Sequence, residues 1–269
     1  MDPLHIVVLG GLVPDPLQTL EPVQGPAGWG LKNEMMLPAI LDPWVQNALW
    51  EAAALAKGVP GSKVTLVSLA PKGKLQQVMM TLAQKAPFEL VALDAPAGGF
   101  TDSGEVAAVL AEGVSSIPGL DKSRLLLFGG WESASRGAGA TLARVGEKLG
   151  LTDQFQGVDQ LKALPDGTFE VLERVEGGQH QASILTGPPA LFGWATGSLA
   201  EPPNNPQVGM ANMKALMPAV QKAAPKPLKG EGPAFASVTM PKQKRDTRVV
   251  KDMPPADIAK ELVEWMKNK

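Results

Sequence analysis

The sequence predicts an α/β fold: a parallel sheet flanked by helices, a small antiparallel excursion, and an extended C-terminal arm ending in a helix. Three observations support this. Segments of strand length that are rich in apolar residues occur at residues 4–9, 63–69, 88–93 and 125–128. Segments with helical spacing of apolar residues alternate with them at 42–57, 74–85, 107–117 and 142–149. After Gly150 the spacing changes to the period of two that is typical of antiparallel strands.

The first strand and helix have clear boundaries. Gly10 and Gly11 end the strand at 4–9, and an irregular, proline-rich stretch follows over residues 13–37. Asp42 is a good N-cap and Pro43 is favoured at the first helical position, so we expect a helix to begin there. Because helices join successive strands, the sheet should be parallel with right-handed crossovers.

The carboxyl ends of the predicted strands should form one crevice. Leu9, Leu69, Asp94 and Gly129 each lie at the end of a strand. Parallel sheets bind their ligands at this edge. Four loops are therefore expected to converge on one site.

A glycine-rich loop connects the strand at 125–128 to the next helix. Small residues at 133–139 would leave backbone N–H groups bare at the positive end of that helix, which suits a phosphate. Ser133, Ser135 and Thr141 offer hydroxyl donors, and Arg136 adds a positive charge. The same composition also suits a tight turn without a ligand, so both interpretations stay open here.

The second half of the chain divides into three segments. Alternating residues at 154–164, 169–175 and 180–186 predict the antiparallel excursion, and a polar, proline-rich segment at 194–213 should lie on the surface. Methionines at 210–217 suit either a recognition surface or a core helix. An arm with a terminal amphipathic helix at 257–267 completes the chain. We therefore expect one domain at 1–224, with the excursion within 154–195, and an arm at 225–269.

Composition excludes several classes of protein. The 269 residues carry a formal net charge of −2, so there is no surplus of basic charge for nucleic acid. The absence of cysteine rules out disulfides and thiolate chemistry. No apolar segment reaches the length of a membrane span, and the N-terminus resembles a first strand rather than a leader. The expected location is the bacterial cytoplasm or, in a eukaryote, the mitochondrial matrix.

The sequence offers no catalytic constellation. His5 and His180 have no identifiable Ser or Asp partner, and no metal-ligand spacing is present. Such a chain suits electron transfer, where a cofactor supplies the chemistry and the protein supplies position and electrostatics. We therefore expect an electron carrier rather than an enzyme.

Several short motifs together resemble one family along almost the whole chain. They are Val13-Pro14-Asp15, Asp42-Pro43-Trp44, Val67-Ser68, Leu82-Ala83, Gly139, Glu201-Pro202 and Met213-Lys214-Ala215. In this order they resemble the β subunit of the electron-transfer flavoproteins. The resemblance implies an adenine-nucleotide α-hydrolase-like fold with Rossmann-type layering. It also implies a heterodimer with an α subunit that holds most of an FAD, accepts electrons from a flavin-dependent dehydrogenase, and delivers them to a membrane quinone oxidoreductase.

The resemblance also implies a set of site residues. Those implied to bind AMP, or a second FAD in bifurcating members, are Leu9, Asp42, Leu69, Gly130, Glu132, Ser133, Ser135, Arg136, Gly137, Ala138, Gly139, Ala140 and Thr141. Trp44 would lie near the FAD of the partner subunit. A partner-recognition loop at 196–213 would contribute Leu199, Val208, Gly209, Met210 and Met213.

This chain departs from the family pattern at several of these positions. Asp42 replaces an asparagine, keeping an acceptor but losing an amide donor. Arg136 is an addition to the loop. Gly209 stands where a leucine usually anchors the dehydrogenase. AMP retention is therefore a hypothesis, and the dehydrogenase partner is expected to be unusual.

Two other functions remain possible on this fold. One is a non-redox, adenine-nucleotide-binding regulatory module. The other is an adenylating enzyme, which needs a Ser-Gly-Gly-x-Asp-Ser loop after the first strand. Residues 10–13 do not supply that loop, so this function is disfavoured.

Overall fold

The computed structural model describes residues 1–26, 28–135, 139–240, 242 and 247–268. The chain divides into two compact units, Met1–Val238 and Thr239–Lys269. The division therefore follows residue 238, whereas the sequence analysis set it after residue 224. Residues 225–238 belong with the first unit because they make hydrogen bonds to its helices and strands.

The first unit contains eleven described strands and five described α-helices. The strands are β1 His5–Pro14, β2 Pro22–Gly25, β3 Gly28–Leu31, β4 Ala39–Leu41, β5 Lys63–Ala70, β6 Glu89–Asp94, β7 Leu125–Gly130, β8 Gln154–Ala163, β9 Phe169–Val175, β10 Gln179–Leu185 and β11 Ala190–Trp194. The helices are α1 Pro43–Gly58, α2 Lys72–Leu82, α3 Ser103–Ser115, α4 Ala140–Leu149 and α5 Pro206–Gln221.

A mostly parallel, nine-stranded sheet forms the centre of this unit. Its order is β10-β9-β8-β11-β7-β1-β5-β6, and β4 pairs with the end of β1. All neighbours from β8 to β6 are parallel, while β9 runs antiparallel to both β8 and β10. The predicted fold class is confirmed. The excursion extends the main sheet, and its last strand, β11, returns parallel between β8 and β7.

Helices cover both faces of the sheet. One apolar cluster joins α1, α2 and α5 to the side chains of Ile6, Val8 and Leu66. The other joins α3 and α4 to Val7, Leu9 and Val67. Consecutive residues of β1 therefore point into different layers, which explains why its sequence is an unbroken apolar run.

Capping residues move several helix boundaries from their predicted positions. Asp102 accepts hydrogen bonds from the N–H groups of Gly104 and Glu105, so α3 begins at Ser103, several residues before the predicted start. Asn205 caps α5 in the same way, with Pro206 at the first helical position. Residues 206–213 are therefore helical, and the predicted surface loop over 196–213 was wrong for this part.

The irregular stretch at 13–37 also contains regular structure. Strands β2 and β3 pair as an antiparallel two-stranded sheet, and a short 3-10 helix, Glu34–Met36, follows them. Asn33 precedes this helix with φ of 53°, a conformation that asparagine tolerates better than most residues. The sequence analysis did not predict this hairpin, because the proline and glycine residues of the stretch are typical of irregular structure.

The antiparallel excursion carries a polar network centred on Asp159. Its carboxylate accepts two hydrogen bonds from the Arg174 guanidinium, at 3.0 and 2.9 Å, and one from Thr196. His180 Nε2 lies 2.9 Å from Asp159 Oδ2. Burial alone would raise the pKa of Asp159, but the hydrogen bonds from His180, Arg174 and Thr196 outweigh it and hold the pKa below its ordinary value of 3.8.

The network should make stability depend on pH in acid. A carboxylate whose pKa is lower in the folded than in the unfolded chain stabilises the fold above pH 3.8 and loses that contribution as pH falls through the folded pKa. We expect Asp159→Asn to lower the free energy of unfolding more at pH 7 than at pH 3, in urea titrations at both pH values. Asp153→Asn, at an exposed position beside β8, is the control. An Asp159→Asn effect of equal size at both pH values would contradict the assignment.

The second unit contains the predicted C-terminal helix, α6 Pro255–Lys267. Arg248 forms an ion pair with Glu261 of this helix. Its apolar residues Ile258, Leu262 and Trp265 are 40%, 55% and 57% exposed. In the described parts of both units, no helix is long and apolar enough to cross a membrane.

Candidate functional site

The site lies where the order of the strands reverses. From β1 the chain continues to β5 and β6 on one side, and then returns to place β7 on the other side of β1. The loops after β1 and β7 therefore leave the sheet in different directions. Such a switch point opens a crevice at the carboxyl ends of the strands.

A pocket of about 140 Å³ occupies this crevice. All the described residues that the sequence analysis assigned to the nucleotide line it, namely Leu9, Asp42, Leu69, Gly130, Glu132, Ser133, Ser135, Gly139, Ala140 and Thr141. Arg136, Gly137 and Ala138 lie outside the described residues. The fold therefore brings together loops that follow β1, β5 and β7 with the start of α4.

The sequence analysis expected the loop after Asp94 to reach the crevice, but it did not name the residues of the pocket wall there. This wall consists of Ala97, Gly98 and the α3 residues Ser103, Val106 and Leu110. The capping sequence at Asp102-Ser103 was the available signal, because it places the start of α3 at the carboxyl end of β6.

Asp42 anchors the loop that follows β7. Its side chain is 2% exposed. One carboxylate oxygen caps α1 by accepting from Trp44 N–H at 3.1 Å. The other accepts from Ser133 Oγ at 2.8 Å and from Ala134 N–H at 2.9 Å. Burial raises the pKa of Asp42, and these hydrogen bonds oppose the rise only in part.

The hydroxyl protons of Ser133 and Ser135 are already donated in hydrogen bonds within the protein. Ser133 has one proton, which it donates to Asp42, since an ionised carboxylate only accepts. The hydrogen bond between Ser133 Oγ and Ser135 Oγ, 2.9 Å long, must then be donated by Ser135. The predicted role of both serines as phosphate donors would require these bonds to break. Of the predicted hydroxyl donors, Thr141 at the start of α4 is the one with no acceptor among the described residues.

Two glycines permit close approach of backbone segments around the loop. A Cβ at Gly139 would lie 1.9 Å from the carbonyl oxygen of Trp131, and the φ of this residue is 60°. A Cβ at Gly130 would lie 2.6 Å from Trp44 Cβ. Trp44 is therefore half-buried against β7, and its predicted proximity to a flavin stays a prediction.

The residues assigned to partner recognition differ in exposure. Met210 is 67% and Leu199 is 42% exposed, while Val208 and Met213 are partly buried. Gly209 is buried, and a Cβ there would lie 2.7 Å from Gln84 Cγ, so it offers no surface to a partner. The buried Glu51 carboxylate holds residues 198–199 in place by accepting from Leu199 N–H at 3.0 Å and from Ser198 Oγ at 3.1 Å.

A larger cleft of about 690 Å³ adjoins the pocket. The two share Leu12, Val13, Ala97 and Gly98. Its walls are the β2–β3 hairpin, residues 96–102 and residues 228–235. Ligand pockets usually measure about 300–1,000 Å³, so the small pocket can enclose part of a nucleotide and the cleft can receive the remainder.

These features define an α/β protein with a pocket at the switch point of its sheet. Residues 33–228 match the family model described as electron transfer flavoprotein domain. Because this match covers most of the chain, the protein belongs to the electron transfer flavoprotein family. A comparison with curated proteins gave no match.

Proposed function

We propose that this chain is the β subunit of an electron-transfer flavoprotein. In this proposal it forms a heterodimer with an α subunit that holds most of an FAD. The complex accepts electrons from a flavin-dependent dehydrogenase and passes them to a membrane quinone oxidoreductase. The observation that carries the proposal is the convergence of the residues implied by the β-subunit resemblance on one pocket at the switch point.

The pocket suits an adenine nucleotide. Leu9, Leu69 and Val106 offer apolar walls to a base, and the amino end of α4 at Ala140 and Thr141 suits a phosphate. AMP is the proposed occupant, and the adjoining cleft provides space for a second FAD as the alternative. Asp42 would hold the loop in position, and Glu132 would line the same wall.

The chain itself would act as a carrier subunit rather than as an enzyme. The bound flavin supplies the electron transfer, and this chain supplies position and electrostatics. Exposed Leu199 and Met210 are proposed to contact the dehydrogenase. The apolar side of α6, with Ile258, Leu262 and Trp265 exposed, is proposed to dock on the α subunit.

Direct titration with nucleotides tests the site. We expect AMP to bind the full-length chain more tightly than GMP, measured by calorimetry. Gly11 lines the pocket with open space at its Cβ position, so Gly11→Phe should fold normally and weaken AMP binding at least about 10-fold. Gly58→Phe at the end of α1 is the matched control, because that position is equally open and lines neither the pocket nor the adjoining cleft.

The outcomes separate the proposal from its alternatives. Failure of the wild-type chain to bind AMP or FAD would refute the nucleotide site. AMP binding by a chain that never associates with a flavin-containing partner would favour the non-redox regulatory module. Equal AMP affinity in wild type and Gly11→Phe would place the ligand elsewhere.

A further inference from the structure

The end of the first unit folds back over the carboxyl edge of the sheet. Residues 225–238, which we call the strap, follow α5 and contribute to the larger cleft through residues such as Leu228 and Phe235. At its start, Lys226 N–H donates to Asp94 O at 2.7 Å, and Lys226 Nζ lies 3.1 Å from Glu112 Oε2. The strap is thus tied to the end of β6 and to α3. Residues 229–238 lie beyond the segment that matches the family model.

A second attachment joins the strap to Glu105 of α3. The N–H groups of Glu231 and Gly232 both donate to Glu105 Oε1, at 2.6 and 3.3 Å. Gly230, with φ of 66°, provides the left-handed turn that points successive N–H groups at one anion. Gly232 passes so close to Asp102 that a Cβ there would lie 2.5 Å from Asp102 Cγ. The strap therefore sits tightly on the amino end of α3.

The third attachment is aromatic, and the three attachments together bury few side chains of the strap. The rings of Phe235 and Phe100 meet edge to face with centroids 5.5 Å apart. Phe235 is nevertheless 50% exposed, and most strap residues are exposed. Leu228 alone of the strap's apolar side chains packs on the second core cluster. A segment with so few buried contacts opens at a small fraction of the global unfolding free energy.

The strap and the pocket share one wall. Gly98, Ser103 and Val106 line the pocket, whereas Phe100 and Glu105, which lie between them in sequence, hold the strap. Residues 98–106 therefore contact the pocket on one side and the strap on the other. Releasing the strap removes support from this wall.

We propose that the strap is a detachable cover whose attachment to Glu105 and Phe100 strengthens nucleotide retention in the adjoining pocket. The inference rests on the proposed function, because the ligand is the adenine nucleotide assigned there. Linkage requires reciprocity: a nucleotide that binds better when the strap is attached also shifts the equilibrium of the strap toward the attached state by the same factor.

Hydrogen exchange and AMP titration of the full-length chain test the coupling. We expect saturating AMP to slow amide exchange in residues 225–238 about 5-fold or more, the low end of ordinary coupling. Glu105→Ala and Phe235→Ala should each speed exchange in the strap and weaken AMP binding to a similar extent. Glu105→Gln keeps an acceptor oxygen and should restore part of the affinity.

Matched controls show whether the effect belongs to the strap. Glu147→Ala removes an exposed carboxylate from α4, and Met80→Ala removes an apolar side chain that is as exposed as Phe235. Neither should alter strap exchange or AMP affinity. Because Phe235 is half exposed, its variant should fold normally even if Glu105→Ala does not.

The results distinguish two failures. If wild type binds AMP, but strap exchange is unchanged and both alanine variants retain full affinity, the coupling is refuted and the nucleotide site stands. If wild type does not bind AMP or FAD, the proposed function fails and the coupling fails with it.

Discussion

Gly139→Ala should abolish nucleotide binding and lower the free energy of unfolding by about 2–4 kcal/mol, to be measured by AMP titration and by urea denaturation. The added methyl group would lie 1.9 Å from the Trp131 carbonyl oxygen, so the loop or the start of α4 must shift. A backbone atom cannot rotate away as a side chain can. The positive φ of 60° adds the ordinary penalty for a non-glycine residue in the left-handed region.

Gly150→Ala separates the two contributions. Gly150 ends α4 with φ of 73°, but a Cβ there meets nothing within 4 Å. Its replacement should cost about 1–2 kcal/mol for the backbone conformation alone and leave AMP binding intact. Equal effects of the two substitutions would show that close approach to Trp131 is unimportant, and would contradict the arrangement of the loop.

Asp42→Asn should be the most informative change of side chain. The carboxylate uses one oxygen for Trp44 and the other for Ser133 and Ala134, and an amide has one oxygen for the same donors. We expect a loss of about 1–3 kcal/mol in stability and at least about 10-fold in AMP affinity, because at least one of these part-buried donors loses its acceptor. Thermal denaturation and calorimetric titration measure the two effects.

A second N-cap provides the control for Asp42. Asn205 caps α5 by accepting from Gln207 and Val208, and it is not among the described residues that line the pocket. Asn205→Ala should cost about 1 kcal/mol of stability and leave AMP affinity unchanged. If Asp42→Asn behaves like Asn205→Ala, then Asp42 serves only as a helix cap and the loop is held by other groups.

Sequence patterns predicted those elements whose structure is determined by residues within the element itself. Predominantly apolar segments at β1, β5 and β7 predict strands that are buried on both faces, and the Asp42-Pro43 cap predicts the start of α1. Positions such as Leu9 and Leu69 follow, because the ends of parallel strands meet at one edge.

Other features depend on interactions that the sequence does not display. The five residues of β11 are all buried but too few to show a period, and their place between β8 and β7 is set by tertiary pairing. Which acceptor each hydroxyl of Ser133 and Ser135 donates to depends on the position of Asp42, which lies 91 residues earlier than Ser133. The wall from α3 was missed because helical periodicity alone placed its start too late, at Ala107 rather than Ser103.

The central claim is that this chain is the β subunit of an electron-transfer flavoprotein. The most direct test is to co-express it with the product of the neighbouring gene, purify the complex, denature it, and identify the released nucleotides by absorbance and mass spectrometry. We predict a heterodimer that releases one FAD and one AMP, or two FADs if the complex is bifurcating. A chain that purifies alone, with neither flavin nor adenine nucleotide, would contradict the claim.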